Sequence, residues 1–232
     1  MKLSSRLQTI DDMVERLYGH IWDCCCDHGF LGQQLLRRQA GITIHFVDIV
    51  EHLMVALETD LNALGIERLW KVHCLDISHL PLLHEEKSFT NCPSEMSKTN
   101  SSDDHLIIIA GVGGERLIEL MEGIIKRHPN KRLEFLLCPV HHNFKVREFL
   151  NDQNFGLQKE VLVKENKRFY EVLHVSTQAG QEVSLVGDEM WDLQDNDHQL
   201  YLKRTIDHYR HKLNDSSMNA MRIVSAYEMV GA

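Results

Sequence analysis

Apolar side chains at Leu7, Ile10, Val14 and Leu17 recur at three- and four-residue spacing, which predicts an amphipathic helix over residues 4–18. Beyond it, short apolar runs alternate with helical periodicity. Strands are predicted at His20–Cys24, Thr43–Val47 and Leu69–Leu75, and helices over Phe30–Gln39 and Val50–Leu64, the second closed by Gly65. Leu106–Ile109 is an unbroken apolar run, as a strand buried on both faces requires. A helix over Arg116–Arg127, a strand at Leu133–Cys138, a helix over Lys145–Asn151 and strands at Leu157–Lys164 and Phe169–Ser176 follow. Strand–helix alternation that ends in a strand pair predicts an α/β fold with an open, mostly parallel sheet and an antiparallel edge.

Two stretches leave this rhythm. The segment 84–104 is polar, rich in Ser, Thr and Asn, and reads as a surface insertion within a domain spanning residues 1–180. From Gly187 onward the chain turns helical again. Leu200, Ile206, Tyr209 and Leu213 share one helix face, Met218, Met221, Val224 and Tyr227 another, and Asn214 to Ser217 supply the turn between them. A C-terminal α-helical hairpin over 187–232 is therefore expected.

The 232 residues suffice for one enzyme-sized core with a small appendage, and 43 % hydrophobic residues exclude wholesale disorder. Charge changes the picture more. With 25 basic against 34 acidic residues the chain carries −9, which argues against a surface that coats nucleic acid throughout, since phosphate binding rests on basic groups that release counterions. Residues 1–104 hold 9 basic and 16 acidic groups, residues 105–180 hold 11 and 9, and residues 181–232 hold 5 and 9, so only the middle segment is net basic. Three of the six cysteines, Cys24, Cys25 and Cys26, are consecutive, which suits neither a disulfide framework nor paired metal-ligand spacing. They read as free thiols of a cytoplasmic protein. No apolar run approaches the roughly 20 residues of a membrane span and the N-terminus lacks the apolar core of a signal peptide, so neither a membrane nor a metal is expected as partner.

In open parallel sheets ligands bind beyond the carboxyl ends of the strands. Those positions hold Asp23 and Asp27-His28 after the first strand, Asp48 after the second, Asp76 after the third and Ala110-Gly111-Val112-Gly113-Gly114 after the fourth. An acid after the second strand can accept from both hydroxyls of a ribose, and one after the third from an adenine amino group. Each is equally suited to capping the helix that follows it. There is neither a phosphate-binding G-x-x-x-x-G-K-[ST] loop nor a G-x-G-x-x-G after the first strand, so an adenosine cofactor without phosphates fits best. S-adenosyl-L-methionine (SAM) is such a molecule, and Asp23 or Asp27 could accept from its ammonium group.

Several segments together resemble the bacterial tRNA (adenine-22-N1)-methyltransferases. They are Lys2 to Thr9, Asp23 to Leu31 (family pattern D-I-G-S-D-H-A-Y-L), Ile109 to Gly114 (family I-A-G-M-G-G), Pro139 through Glu148, and Phe169 to Leu173. The resemblance implies a Rossmann-like class I SAM-dependent methyltransferase sheet, with SAM as cofactor and tRNA as partner. It implies cofactor contacts from Asp23, Cys25, Asp48, Ile49, Asp76, Ile77, Ala110, Gly111 and Gly113, and catalysis at Asp27 and His28. Substrate contacts would come from Arg6, Gly114, Pro139, His142, Lys145, Arg147 and Tyr170. For His28 a structural hydrogen-bonding or capping role remains the alternative.

Adenine N1 carries an in-plane lone pair, so a methyltransferase acting there needs alignment more than base catalysis. Gly111, Gly113 and Gly114 would suit a flat base sliding past the backbone. The basic residues Arg116, Lys126, Arg127, Lys131, Arg132, Lys145 and Arg147 are expected to meet RNA phosphates around the mouth, with Lys203, Arg204, Arg210 and Lys212 as a second contact. Two departures matter. Cys25 stands where the family has Gly, which would narrow the amino-acid pocket or demand another backbone angle, and Cys138 and Val140 replace the Gln and Asn that flank Pro139. A methyltransferase-fold binding protein without catalysis and a small-molecule methyltransferase are the competing readings. In each case a monomer or weak dimer is expected.

Overall fold

The computed structural model describes residues 3–65, 69–82, 104–178, 180–212 and 218–231. The expected alternation runs α1 (Ser5–Asp12), β1 (Tyr18–Cys24), α2 (Phe30–Arg37), β2 (Gly41–Asp48), α3 (Glu51–Ala63), β3 (Trp70–Cys74), β4 (His105–Ala110), α4 (Gly114–Arg127), β5 (Leu133–Cys138) and α5 (Asn143–Asp152). The antiparallel part consists of β6 (Gly156–Glu165), β7 (Arg168–Ser176) and the two-residue β8 (Gln181–Glu182), and the chain closes with α6 (Asn196–His211) and α7 (Met218–Glu228). All eight strands form one sheet in the order β3-β2-β1-β4-β5-β7-β6-β8. Strands β1 to β5 are mutually parallel where they pair, while β7 runs antiparallel to β5 and to β6.

Each face of the sheet carries its own core. Ile10, Leu31, Leu35, Met54, Leu57 and Leu61 bring α1, α2 and α3 to one face, and Leu117, Leu120, Met121, Ile124, Val146 and Leu150 bring α4 and α5 to the other. Strand β4 lies between both, and Leu106 through Ile109 are fully buried, which is why its sequence shows no polar alternation. The direction of winding reverses between β1, which leads out to β2 and β3, and β4, which leads to β5. A crevice therefore opens at the carboxyl ends of these two strands.

The elements differ from expectation at ends that a distant residue decides. Helix α1 stops at Asp12 instead of residue 18 because the Arg38 guanidinium, at the end of α2, takes the Asp11 carboxylate at 2.7 Å and the carbonyls of Asp11 and Val14 at 2.8 and 3.0 Å. Strand β1 accordingly begins earlier, at Tyr18, opposite Gly41. Residues 187–195 are not helical. Glu160, buried on β6, accepts the backbone N–H groups of Asp188, Glu189 and Met190 on one oxygen at 2.7, 2.8 and 3.2 Å, and α6 starts only after the Asp195 cap. The 84–104 insertion, apart from Asp104, and the turn at Asn214 to Ser217 lie outside the described residues.

The hairpin is fastened by charge as well as by apolar packing. Arg147 on α5 is fully buried and pairs with Glu160 at 2.7 Å and Glu171 at 2.6 Å, and it also donates to the Ser184 carbonyl at 3.0 Å. Glu171 in turn accepts from the Tyr201 hydroxyl of α6 at 2.5 Å, and Asn143 donates to that hydroxyl at 3.0 Å. This overturns the expectation that Arg147 meets substrate. Burial alone would favour losing its proton, but Glu171 and Glu160 outweigh that and hold it charged.

Candidate functional site

The crevice holds a cavity of about 330 Å³ lined by Arg6 and Leu7 of α1, the Asp23–His28 loop, Phe30, Leu31, Ala110 and Gly111. Asp23 ends β1 as a nearly buried carboxylate that accepts the Gly32 N–H at 2.8 Å. Burial pushes its pKa up to about 7 against the pull of that hydrogen bond, and Asp48 adds to the rise. A cation placed against Asp23 would recover much of that penalty. Cys25 takes φ +56° and Asp27 φ +52°, in the left-handed region. Glycine would adopt this backbone without strain, whereas the Cys25 side chain is held in a region that L residues rarely occupy. Its thiol lines the cavity, and burial lifts its pKa to about 12, which leaves it unreactive.

Asp48 closes the loop from the next strand. One carboxylate oxygen accepts the Asp27 N–H at 3.1 Å and the other the Val50 N–H at 3.2 Å, which leaves lone pairs on both for further donors. Beside it Ile49 is 66 % exposed, an apolar surface at the rim. Asp76 caps a 3-10 turn, accepting the Ser78 hydroxyl at 2.6 Å and the Ser78 N–H at 2.8 Å, and pairs with Arg116 at 3.0 Å; the hydroxyl first, then the N–H and Arg116, hold its carboxyl below the usual range against burial. Ile77 turns into the core and is 4 % exposed, so a side-chain contact with a ligand is excluded there. Asp27 and His28 stand at the cavity mouth, 3.8 Å apart and both more than half exposed, with the His28 ring stacked on Phe30. Helix α2 starts at Gly29 without a side-chain cap, so the His28 ring does not cap it.

The glycine loop after β4 divides into two parts. Gly111, at φ +84°, faces the cavity, where the Arg6 guanidinium is its nearest neighbour. Gly113 and Gly114 face elsewhere. A Cβ on Gly113 would meet the His141 ring at 2.5 Å, and one on Gly114 would meet the His141 carbonyl at 2.8 Å. Their small size accommodates the loop after β5, which also pairs through Gly114 N–H to His141 and Val140 N–H to Val112. The lack of a side chain at Gly113 and Gly114 therefore serves the packing of this loop. Pro139 is buried in that loop, and His142 starts α5 in the left-handed conformation, exposed. Arg6 lies over the Tyr170 ring at 5.0 Å with its Nε buried and without a hydrogen-bond partner.

Three members of the expected basic strip are engaged within the protein. Arg116 is paired with Asp76 and Glu119, Lys145 with Glu115, and Arg147 is in the core. Cations collect instead in a groove of about 570 Å³ between the start of α5, the β6–β7 turn and α6. Lys167, Arg168, Arg204 and Lys212 line it with His141, His142 and His208, interleaved with Phe144, Phe169 and Tyr209, and no carboxylate is among its lining residues. None of the four cations pairs with a carboxylate among the described residues. Arg204 and Lys212 thus fall in the groove, whereas Lys203 and Arg210 line the opposite flank of α6 beside Asp207. Sequence reasoning missed Lys167 and Arg168, which the β6–β7 hairpin brings next to α6. An Asn-Lys-Arg turn between two strands was the available signal.

A doubly wound parallel sheet with its cavity at the reversal point, an acid at the end of β1 and another at the end of β2 defines a protein built to hold a nucleoside-bearing cofactor. The chain belongs to the methyltransferase domain family, whose sequence pattern matches residues 3–173. A Mycoplasma pneumoniae protein provisionally named a tRNA methyltransferase is 24 % identical over 192 residues, covering 81 % of this chain and 78 % of that protein. Among solved structures, a Streptococcus pneumoniae protein provisionally described as a tRNA (m1A22) methyltransferase, in complex with SAM, superposes with TM-score 0.74 at 17 % identity over 99 % of both chains. M. capricolum TrmK in complex with S-adenosyl-homocysteine gives 0.69 at 14 % identity, covering 100 % and 96 %. At these identities the likeness is one of fold.

Proposed function

We propose that the protein is a SAM-dependent tRNA methyltransferase acting on N1 of an adenine, A22 by analogy with its structural neighbours. The observation that carries the RNA assignment is the carboxylate-free groove with its cations and aromatic rings, which starts at His141 and His142 beside the β4 loop. The cavity and the end of β2 beside it fit the cofactor. In the cavity Asp23 and Asp27 suit its ammonium and the bare backbone at Ala110 and Gly111 a close approach, while beside it Asp48 suits its ribose hydroxyls and Ile49 its adenine face. When bound, the cofactor supplies an electrophilic methyl group on a sulfonium.

The chain's own contribution is alignment. N1 needs no deprotonation to attack, so the protein has to hold the flipped base in line, with Arg6 and Tyr170 under the cavity and Asp27 and His28 at its mouth. Methylation leaves a positive charge on the ring, which the Asp27 carboxylate stabilises, and His28 can take the N6 proton afterwards. Phosphates flanking the base would follow the groove toward Arg204 and Lys212.

The test is methyl incorporation from labelled SAM into unmodified tRNA transcripts carrying A22 and into matched transcripts carrying G22. Label confined to the A22 transcripts is expected. Equal labelling of both overturns the position, and absence of labelling from a protein that binds the cofactor overturns the RNA substrate.

A further inference from the structure

The cationic groove at α6 holds more than a phosphate track requires. Its volume of about 570 Å³ lies within the range of roughly 300–1,000 Å³ that encloses small organic ligands. Phe144 of α5 and Tyr227 of α7, 2 % and 1 % exposed, pack together in its floor with ring centroids 6.3 Å apart. Phe169 of β7 and Tyr209 of α6 also line it and are only half-buried, so part of each ring stays open. Each of these two rings has a cation beside it. The Arg204 guanidinium lies 5.7 Å from the Phe169 centroid, and the Lys212 ammonium 5.5 Å from that of Tyr209. Flat apolar surface and positive charge thus occur side by side, as a nucleotide with its ring and its anion demands.

The groove is braced from behind. Asn143 Nδ2 donates to the Tyr201 hydroxyl at 3.0 Å, that hydroxyl donates to Glu171 at 2.5 Å, and Glu171 is paired with the buried Arg147. Arg204 donates to the Lys167 carbonyl at 3.3 Å, which joins α6 to the β6–β7 turn. Its shape is therefore set before a ligand arrives. One atom inside it is left unsatisfied. Asn143 lines the groove, and its Oδ1 is buried without a hydrogen-bond partner among the described residues, a costly state for an acceptor. A phosphate cannot relieve it, because phosphodiester oxygens also only accept. An amino group or ring N–H on the edge of a base can. In a duplex that edge would be engaged in pairing and the flat face covered by stacking, so an occupant that uses both is unpaired.

Given the RNA reading of this groove, on which the step rests, we infer that the groove seats one unpaired nucleobase of the RNA in addition to the base that is methylated. The seated base stacks against the Phe169 and Tyr209 rings, its edge donates to Asn143 Oδ1, and Arg204 and Lys212 hold the adjoining phosphates. It is a second base because the groove and the cofactor cavity share no lining residue among the described ones. Recognition then depends on an unpaired nucleotide away from the reacting one, which a phosphate track alone would not sense.

The test measures binding of the full chain, over a salt series, to a single-stranded adenylate hexamer and to an abasic ribose-phosphate hexamer of equal charge. The adenylate hexamer should bind about tenfold more tightly, the scale of one stacked base, and both complexes should weaken alike as salt rises. Phe169→Leu combined with Tyr209→Leu keeps apolar side chains in place and should erase most of that preference without changing the salt slope. Equal affinity of the wild type for the two hexamers, or an undiminished preference in the variant, overturns the base seat; salt-dependent binding of both hexamers in that case leaves the RNA reading standing. If neither hexamer nor tRNA binds, both readings fall. Should the variant not fold, ultraviolet cross-linking of the wild type to the adenylate hexamer decides. Cross-links at Phe169 or Tyr209 are expected, and cross-links confined to residues outside the groove overturn the proposal.

Discussion

Cys25 stands where the resemblance leads one to expect glycine, and its backbone lies in the left-handed region that glycine adopts without strain. At φ +56° a side chain costs about 1–2 kcal/mol relative to a relaxed conformation, a cost that glycine escapes but partly repays through its freer unfolded chain. Cys25→Gly should therefore leave stability within about 1 kcal/mol and keep or tighten SAM binding by calorimetry. Cys25→Val, β-branched, should cost about 2 kcal/mol in urea unfolding. Asp23 invites a pH experiment. Its folded pKa of about 7 lies above that of an unfolded aspartate, so the stability it contributes is full below about pH 4 and is lost as pH rises through 7. Asp23→Asn should remove that loss, raising stability at pH 8 by on the order of 2–4 kcal/mol. If Asp23 holds the ammonium, wild-type affinity for SAM should drop about tenfold per pH unit below 7, and the Asn variant should show no such slope.

At the level of elements, the same local pattern led to opposite outcomes for two neighbours on α5. Lys145 and Arg147 are two residues apart in a short amphipathic helix, and only their facing separates them. Lys145 is exposed with a surface partner, Glu115, while Arg147 is enclosed by Glu160, Glu171 and the Ser184 carbonyl. Breaking a buried pair leaves uncompensated charge, so Arg147→Ala should destabilise by about 3–5 kcal/mol and loosen the 187–195 strap. Lys145→Ala should stay within about 0.5 kcal/mol. Thermal unfolding of both variants separates the two cases. Charge periodicity could not make this distinction, because the acids that neutralise Arg147 come from strands β6 and β7.

Over the whole molecule, net charge says less than its distribution. The chain is acidic, but among its described residues no carboxylate lines the groove where the β6–β7 turn, the start of α5 and α6 meet. Binding of tRNA there should be salt-dependent, and Arg204→Glu with Lys212→Glu should weaken it at least tenfold and reduce the salt slope by about 2. SAM affinity should be unchanged, because neither residue lines the cofactor cavity. Filter binding over a salt series, run beside calorimetry, reads both quantities. A variant that binds tRNA like the wild type would move the RNA surface elsewhere.

The order and type of the elements, the carboxyl-end acids and the adenosine-type cofactor were legible in the chain. They rest on short-range physics: apolar period, turn residues and the residues directly after each strand. Tertiary structure alone decided what those residues face. It put Ile77 in the core, gave Gly113 and Gly114 to His141, buried Arg147 and aligned four histidines whose positions 20, 45, 73 and 105 share no local motif. Strand order and register set these outcomes, joining residues that are tens of positions apart, and a side chain's chemistry depends on which charges and how much water that pairing leaves around it.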